Sequence, residues 1–173
     1  MEDALEILKY TLPALIVFFT AFLILRAMIK NDEQKRNLEL SLANQKTILP
    51  LRLQAYERIT MFLERISPES LIMRANQPDM TSVQLQNELI KMIRAEFDHN
   101  LSQQVYISHE AWEIVKKARA SIIHMISTAS EQIKPDASSI TLSKKILEMI
   151  MEHKVTPIST ALGFIKKEVQ ELY

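Results

Sequence analysis

The chain has no cysteine and one glycine, Gly163, in 173 residues, and its 21 Lys+Arg are balanced by 21 Asp+Glu. Each scarcity excludes something. Phosphate-cradling loops need several glycines, because the backbone must approach the anion in conformations that side chains forbid. P-loop, Rossmann and kinase-type nucleotide sites are therefore excluded. Few glycines also mean few hairpin turns, which argues against a β-rich domain. The charge balance holds from Pro50 onward as well, and no basic stripe with interleaved aromatics is present. Nucleic acid is thus not an expected partner. The lack of cysteine agrees with a cytoplasmic domain without requiring one, since many exported domains also lack disulfides.

What is present is a charge-free run at residues 10–25, YTLPALIVFFTAFLIL, bounded by Lys9 and Arg26. Sixteen residues of helix reach only about 24 Å, short of the roughly 30 Å hydrocarbon core. The flanks extend it, with Ala4, Leu5, Ile7 and Leu8 before it and Ala27, Met28 and Ile29 after it. Lys9, Arg26 and Lys30 have stems long enough to snorkel toward headgroups, and Tyr10 lies where an interfacial aromatic belongs. A soluble core helix is the bland alternative, but a chain this small has no room to bury a helix apolar on every face. A cleaved signal peptide fits worse, because the start is acidic (Glu2, Asp3, Glu6) and no small-x-small cleavage site follows before Arg26. The expected lipid-bilayer anchor has its amino end outside. Arg26, Lys30, Lys35 and Arg36 outnumber Lys9 and the terminal amine, which is expected to place the rest of the chain in the cytoplasm.

The expected fold class is all-α: a single transmembrane helix continuing into a juxtamembrane helix, then a compact multi-helix bundle. The divisions are 1–29 (tail and anchor), 30–49 (spacer) and 50–173 (bundle). Residues 30–37, KNDEQKRN, have no apolar side chain, and Leu38, Leu42 and Leu49 then restart an apolar stripe expected to dock onto the bundle. Pro50 is expected to break or kink that helix. Tyr56, Ile59, Leu63 and Ile66 form the next face, ended by Ser67-Pro68, which starts a short helical piece through Leu71 and Ile72. Thr81 with Gln84 resembles a capping box opening a helix with Leu85, Leu89, Ile93 and Phe97 inward. Residues 105–107 read as a short extended connector. Ser108 starts the longest soluble helix, with Ala111, Val115, Ala118, Ile122 and Ala129 on its core face and Trp112 beside them. Two shorter helices follow, one through Leu142 and Ile146 and stopping around Val155, the other after Thr156-Pro157.

No catalytic constellation assembles in the sequence, and no catalytic, cofactor or metal residues are assigned. Glu96 and His99 make one E-x-x-H, whereas di-metal bundles need two such motifs and further carboxylates. His109-Glu110 lacks the second histidine of a zinc-protease motif. Two polar groupings are interaction candidates: Arg52, Glu57, Arg58, Glu64 and Arg65 after Pro50, and Arg94, Glu96, His99, Asn100, Gln103 and Gln104 at the end of the next long helix. The bland alternative for both is a solvated face with intrahelical pairs, each worth tenths of a kcal/mol.

The segments ILKYTLPALIVF, NQKTILPLRLQAYERITMFLERISP, IRAEFDHNLSQQVYIS and EAW resemble a family of small single-pass membrane proteins of Bacteroidetes-type bacteria, a domain of unknown function. The resemblance covers nearly the whole chain, implies an inner-membrane location, and brings no activity, cofactor or site residue with it. The leading expectation is a non-enzymatic, membrane-tethered interaction or assembly protein with a protein partner. The runner-up is a small-ligand or metal-binding sensor or enzyme around Arg94, Glu96 and His99. A third expectation is a homo-oligomer made through the Leu38, Leu42, Leu49 stripe, since the membrane segment has no small-xxx-small pair.

Overall fold

The computed structural model describes residues 2–152 and 155–172, with side chains described from residue 15 onward except at 41 and 44. The fold is all-α, and no strand occurs among the described residues. The chain divides into two compact units, Met1–Leu49 and Pro50–Tyr173.

Residues 2–49 of the first unit belong to α1 (Glu2–Arg65). Most of the unit's described large apolar side chains are exposed, although the Phe18 and Phe22 rings stack at 6.5 Å. Leu15, Ile16, Val17, Phe18, Phe19, Phe22, Leu23, Ile24, Leu25, Met28 and Ile29 are each between 50 % and 66 % exposed. The one hydroxyl in that stretch, on Thr20, donates to the carbonyls of Ile16 and Val17 at 2.9 Å, so the helix satisfies its own polar side chain. Among the described residues no helix is long and apolar enough to cross a membrane. Residues 10–14, which open the charge-free run, lie outside the described side chains, as do the proposed anchor flanks Lys9 and Tyr10. Arg26 and Lys30 are exposed.

Pro50 does not break the helix; α1 runs through it to Arg65. Proline removes one N–H and crowds the carbonyl four residues earlier. Pro50 is exposed, so the carbonyl that loses its partner can be hydrated.

The second unit holds the end of α1, α2 (Pro68–Ala75), α3 (Ser82–Asn100), α4 (His109–Glu131), α5 (Ser139–Met151) and α6 (Pro157–Gln170). Its core uses the residues that the helical period picked out: Tyr56, Ile59, Leu63, Leu85, Leu89, Ile93, Ala111, Val115, Ile122, Leu142 and Ile146, joined by Ile165. Phe97 ties three elements together, 5.9 Å from Phe62 and stacked on Trp112 at 5.2 Å. Trp112 is therefore a core residue.

The helix starts lie where the sequence placed them. Ser67 precedes Pro68 at the first position of α2, but its side chain makes no capping hydrogen bond. Thr81 and Gln84 form a reciprocal capping box, and Ser108 accepts from the Ala111 N–H. Thr156 with Ser159 forms a second capping box. Residues 105–107 are not extended. A 3-10 turn, Leu101–Val105, continues directly from α3, and Tyr106 keeps helical dihedrals. The N-termini of α3 and α5 are joined by an antiparallel bridge, Thr81 to Ser138. There Ser82 N–H donates to Ala137 O at 2.7 Å and Ser139 N–H to Met80 O at 2.9 Å.

Candidate functional site

The C-terminal part of α1 and the end of α3 enclose a groove of about 360 Å³, lined by Gln54, Glu57, Arg58, Met61, Phe62, Arg65, Glu96, His99 and Asn100. Positions 54, 58, 61 and 65 recur at helical spacing, so one face of α1 supplies one wall. Met61 and Phe62 are apolar; the remaining lining is polar and of both signs.

Of the interaction candidates, Glu57, Arg58, Arg65, Glu96, His99 and Asn100 meet here, while Glu64, Gln103 and Gln104 do not line the groove. Arg94 is exposed and does not line the groove. Arg52 points elsewhere: its Nε donates to the Tyr106 carbonyl at 3.2 Å and its Nη2 to the Tyr56 hydroxyl at 3.4 Å.

One end of the groove is an ion-pair clamp. Glu96, only 15 % exposed, receives Arg65 at 2.8 Å and Arg74 at 3.4 Å on the same carboxylate oxygen. Arg74 also donates to the carbonyls of Arg65 and of Ser70. One carboxylate thus joins α1, α2 and α3. Asn100 is buried and donates from Nδ2 to the Glu96 backbone carbonyl at 2.8 Å. Arg58 has no ion pair among the described residues. His99 is exposed, and among the described residues no group of three or more His, Cys, Asp or Glu side chains is placed to hold a metal ion. The E-x-x-H does bring Glu96 and His99 to one face, but Glu96 is engaged by arginines.

A second polar cluster lies along α6. The buried Tyr56 hydroxyl donates to Glu168 at 2.7 Å. Burial, then the hydrogen bond to Glu168, push the Tyr56 phenol above its ordinary value, while Arg52 pulls the other way. The second oxygen of Glu168 is buried without a partner, as is Nε of Arg119, whose guanidinium covers the Phe97 ring at 3.9 Å. Arg74 and Glu168 escaped the sequence reading. Both partner residues far along the chain, and no local spacing signals such a pair.

A family model matches residues 2–172 and describes a family of unknown function, DUF7935. The chain belongs to that family. No curated protein and no solved structure matches it. The match spans residues of both units.

Proposed function

We propose that this DUF7935 chain is a membrane-anchored helical interaction or assembly protein, tethered by residues 10–29 in a bacterial inner membrane, amino end outside. Its bundle then presents the groove between α1 and α3 to a protein partner in the cytoplasm. The observation that carries the proposal is the uncovered apolar helix. Eleven large apolar side chains between Leu15 and Ile29 are half or more exposed on every face. Water penalises that surface by about 25 cal/mol per Å², whereas lipid accepts it. Residues 10–14 and the flanking Met28 and Ile29 would supply the length that 15–25 lack.

The groove suits a protein partner better than a small molecule, because its polar side chains carry both signs and its apolar floor is short. The sensor or enzyme alternative gains nothing from an exposed His99 and a Glu96 already held by two arginines. Fusing alkaline phosphatase after Tyr173 tests the topology: an inactive fusion is expected, and periplasmic activity refutes it. Affinity purification from native membranes then identifies the partner, and Arg58→Glu should lower its recovery.

A further inference from the structure

Beyond the apolar run, the first unit exposes a second apolar pattern with different chemistry. Leu38 and Leu42 are 60 % and 48 % exposed, Gln45 is exposed and Leu49 is half-buried. At roughly 100° per residue these four positions fall in a stripe about 60° wide, while Leu40 and Thr47 lie on the opposite side. Their spacing of four, three and four residues is that of an a/d seam between paired helices.

We propose that this stripe is the contact between two copies of the chain, paired parallel and in register. In that geometry every seam residue meets its own copy. Leucine is compatible with itself, and the Gln45 amide is both donor and acceptor, so two copies satisfy each other. The seam carries no charge; Lys35 lies before it and Glu39 and Lys46 stand beside it. A single uncharged polar position inside an apolar seam favours one register over slipped ones. The orientation rests on the anchor proposed above. A span ahead of the stripe holds all copies pointing the same way and at the same height, so identical stripes face each other. A seam of about three turns is too short to hold a pair together in dilute solution. Confinement in a plane raises the effective concentration toward the millimolar range, where a weak seam suffices.

The absence of cysteine makes the test direct. Single cysteines are placed at 38, 40, 42, 45, 47 and 49 in the full chain, and isolated membranes are oxidised. Disulfides form only where Cα atoms come within roughly 4.4–6.8 Å. Dimer yields should peak at 38, 42, 45 and 49 and be several-fold lower at 40 and 47. A flat profile, or a peak at 40 and 47, overturns the seam. Adding Gln45→Lys to Leu42→Cys should abolish the cross-link through like-charge repulsion; an unchanged yield also overturns it. Carbonate extraction of the same membranes reads the anchor separately: release of the protein sinks the anchor, while the cysteine profile still judges the seam.

Discussion

Replacing Glu96 by glutamine distinguishes a structural clamp from a free ligand-binding carboxylate. Glutamine keeps the shape and one acceptor but removes the charge that faces Arg65 and Arg74. Arg65 is half exposed and re-solvates readily, so its pair is worth under about 1 kcal/mol. Arg74 is 32 % exposed and already oriented by the Ser70 and Arg65 carbonyls. Its charge-assisted bond belongs nearer the 1.5–3 kcal/mol expected of hydrogen bonds to charged groups, reduced to about 1 by partial exposure. Together these give a loss of roughly 1–2 kcal/mol for Glu96→Gln and about 2–3 for Glu96→Ala, where a buried methyl replaces the carboxylate. In a domain of this size that lowers Tm by about 3–8 °C. Thermal and urea unfolding of the full chain in detergent, with Arg65→Ala and Arg74→Ala to complete double-mutant cycles, measures it. Desolvation should outweigh contact distance, so the Arg74 cycle should show the larger coupling. Glu96→Gln within about 0.3 kcal/mol of the natural chain, with both couplings at zero, refutes the clamp.

Three further outcomes are expected. A Cβ on Gly163 would meet nothing within 4 Å, and its φ lies outside the left-handed range, so Gly163→Ala should stabilise α6 by about 0.5–1 kcal/mol in the same unfolding assay. Tyr56→Phe leaves Glu168 with neither oxygen satisfied by the phenol and should destabilise by about 1–2 kcal/mol at neutral pH. The folded state favours the protonated phenol, so its contribution is complete below the ordinary value of 10.0 and is lost as pH rises through the higher folded value. The natural chain should accordingly lose stability above that point more steeply than Tyr56→Phe in pH-resolved melts. Thr81→Ala removes the acceptor for the Gln84 N–H and should lose about 1 kcal/mol by the same melts, with Gln84→Ala losing less.

The elements of the bundle were legible because local physics decides them. A 3.6 period selected Ala111, Val115, Ala118, Ile122 and Ala129, and all five are buried. Thr81-Gln84, Ser108 and Thr156-Pro157 start helices because their side chains satisfy the N–H groups that a first turn leaves open. Two local signals were less decisive. Pro50 reads as a break or kink, and the break does not occur, because one lost hydrogen bond on a solvated face does not end a helix that continues favourably on both sides. Residues 105–107 read as a short extended connector, but the chain tightens to a 3-10 turn after Asn100. Half of the candidate site was legible too. Helical spacing put Glu96 and His99 on one face and Arg58 on another helix of the right charge. What was not legible is which arginine reaches Glu96, because Arg74 arrives from α2 through a turn at Ser67 and no spacing rule spans that turn.

The same economy of glycine that excluded nucleotide loops bears on how the groove can work. A lid that closes over a substrate needs hinge residues able to absorb large backbone changes. Around the groove, α1 and α3 are unbroken helices, α3 begins in a closed capping box, and the turn between α1 and α2 is clamped by Arg74 onto the Arg65 carbonyl. The one described residue at positive φ, Asp79, lies in the loop before α3 and outside the groove lining. A surface held this way has lost most of its conformational entropy before any partner arrives, and pre-organisation favours recognition by lowering the entropy lost on binding. Walls held this way suit the docking surface proposed above, whose lining includes Arg58, without an ion pair among the described residues, and the exposed His99.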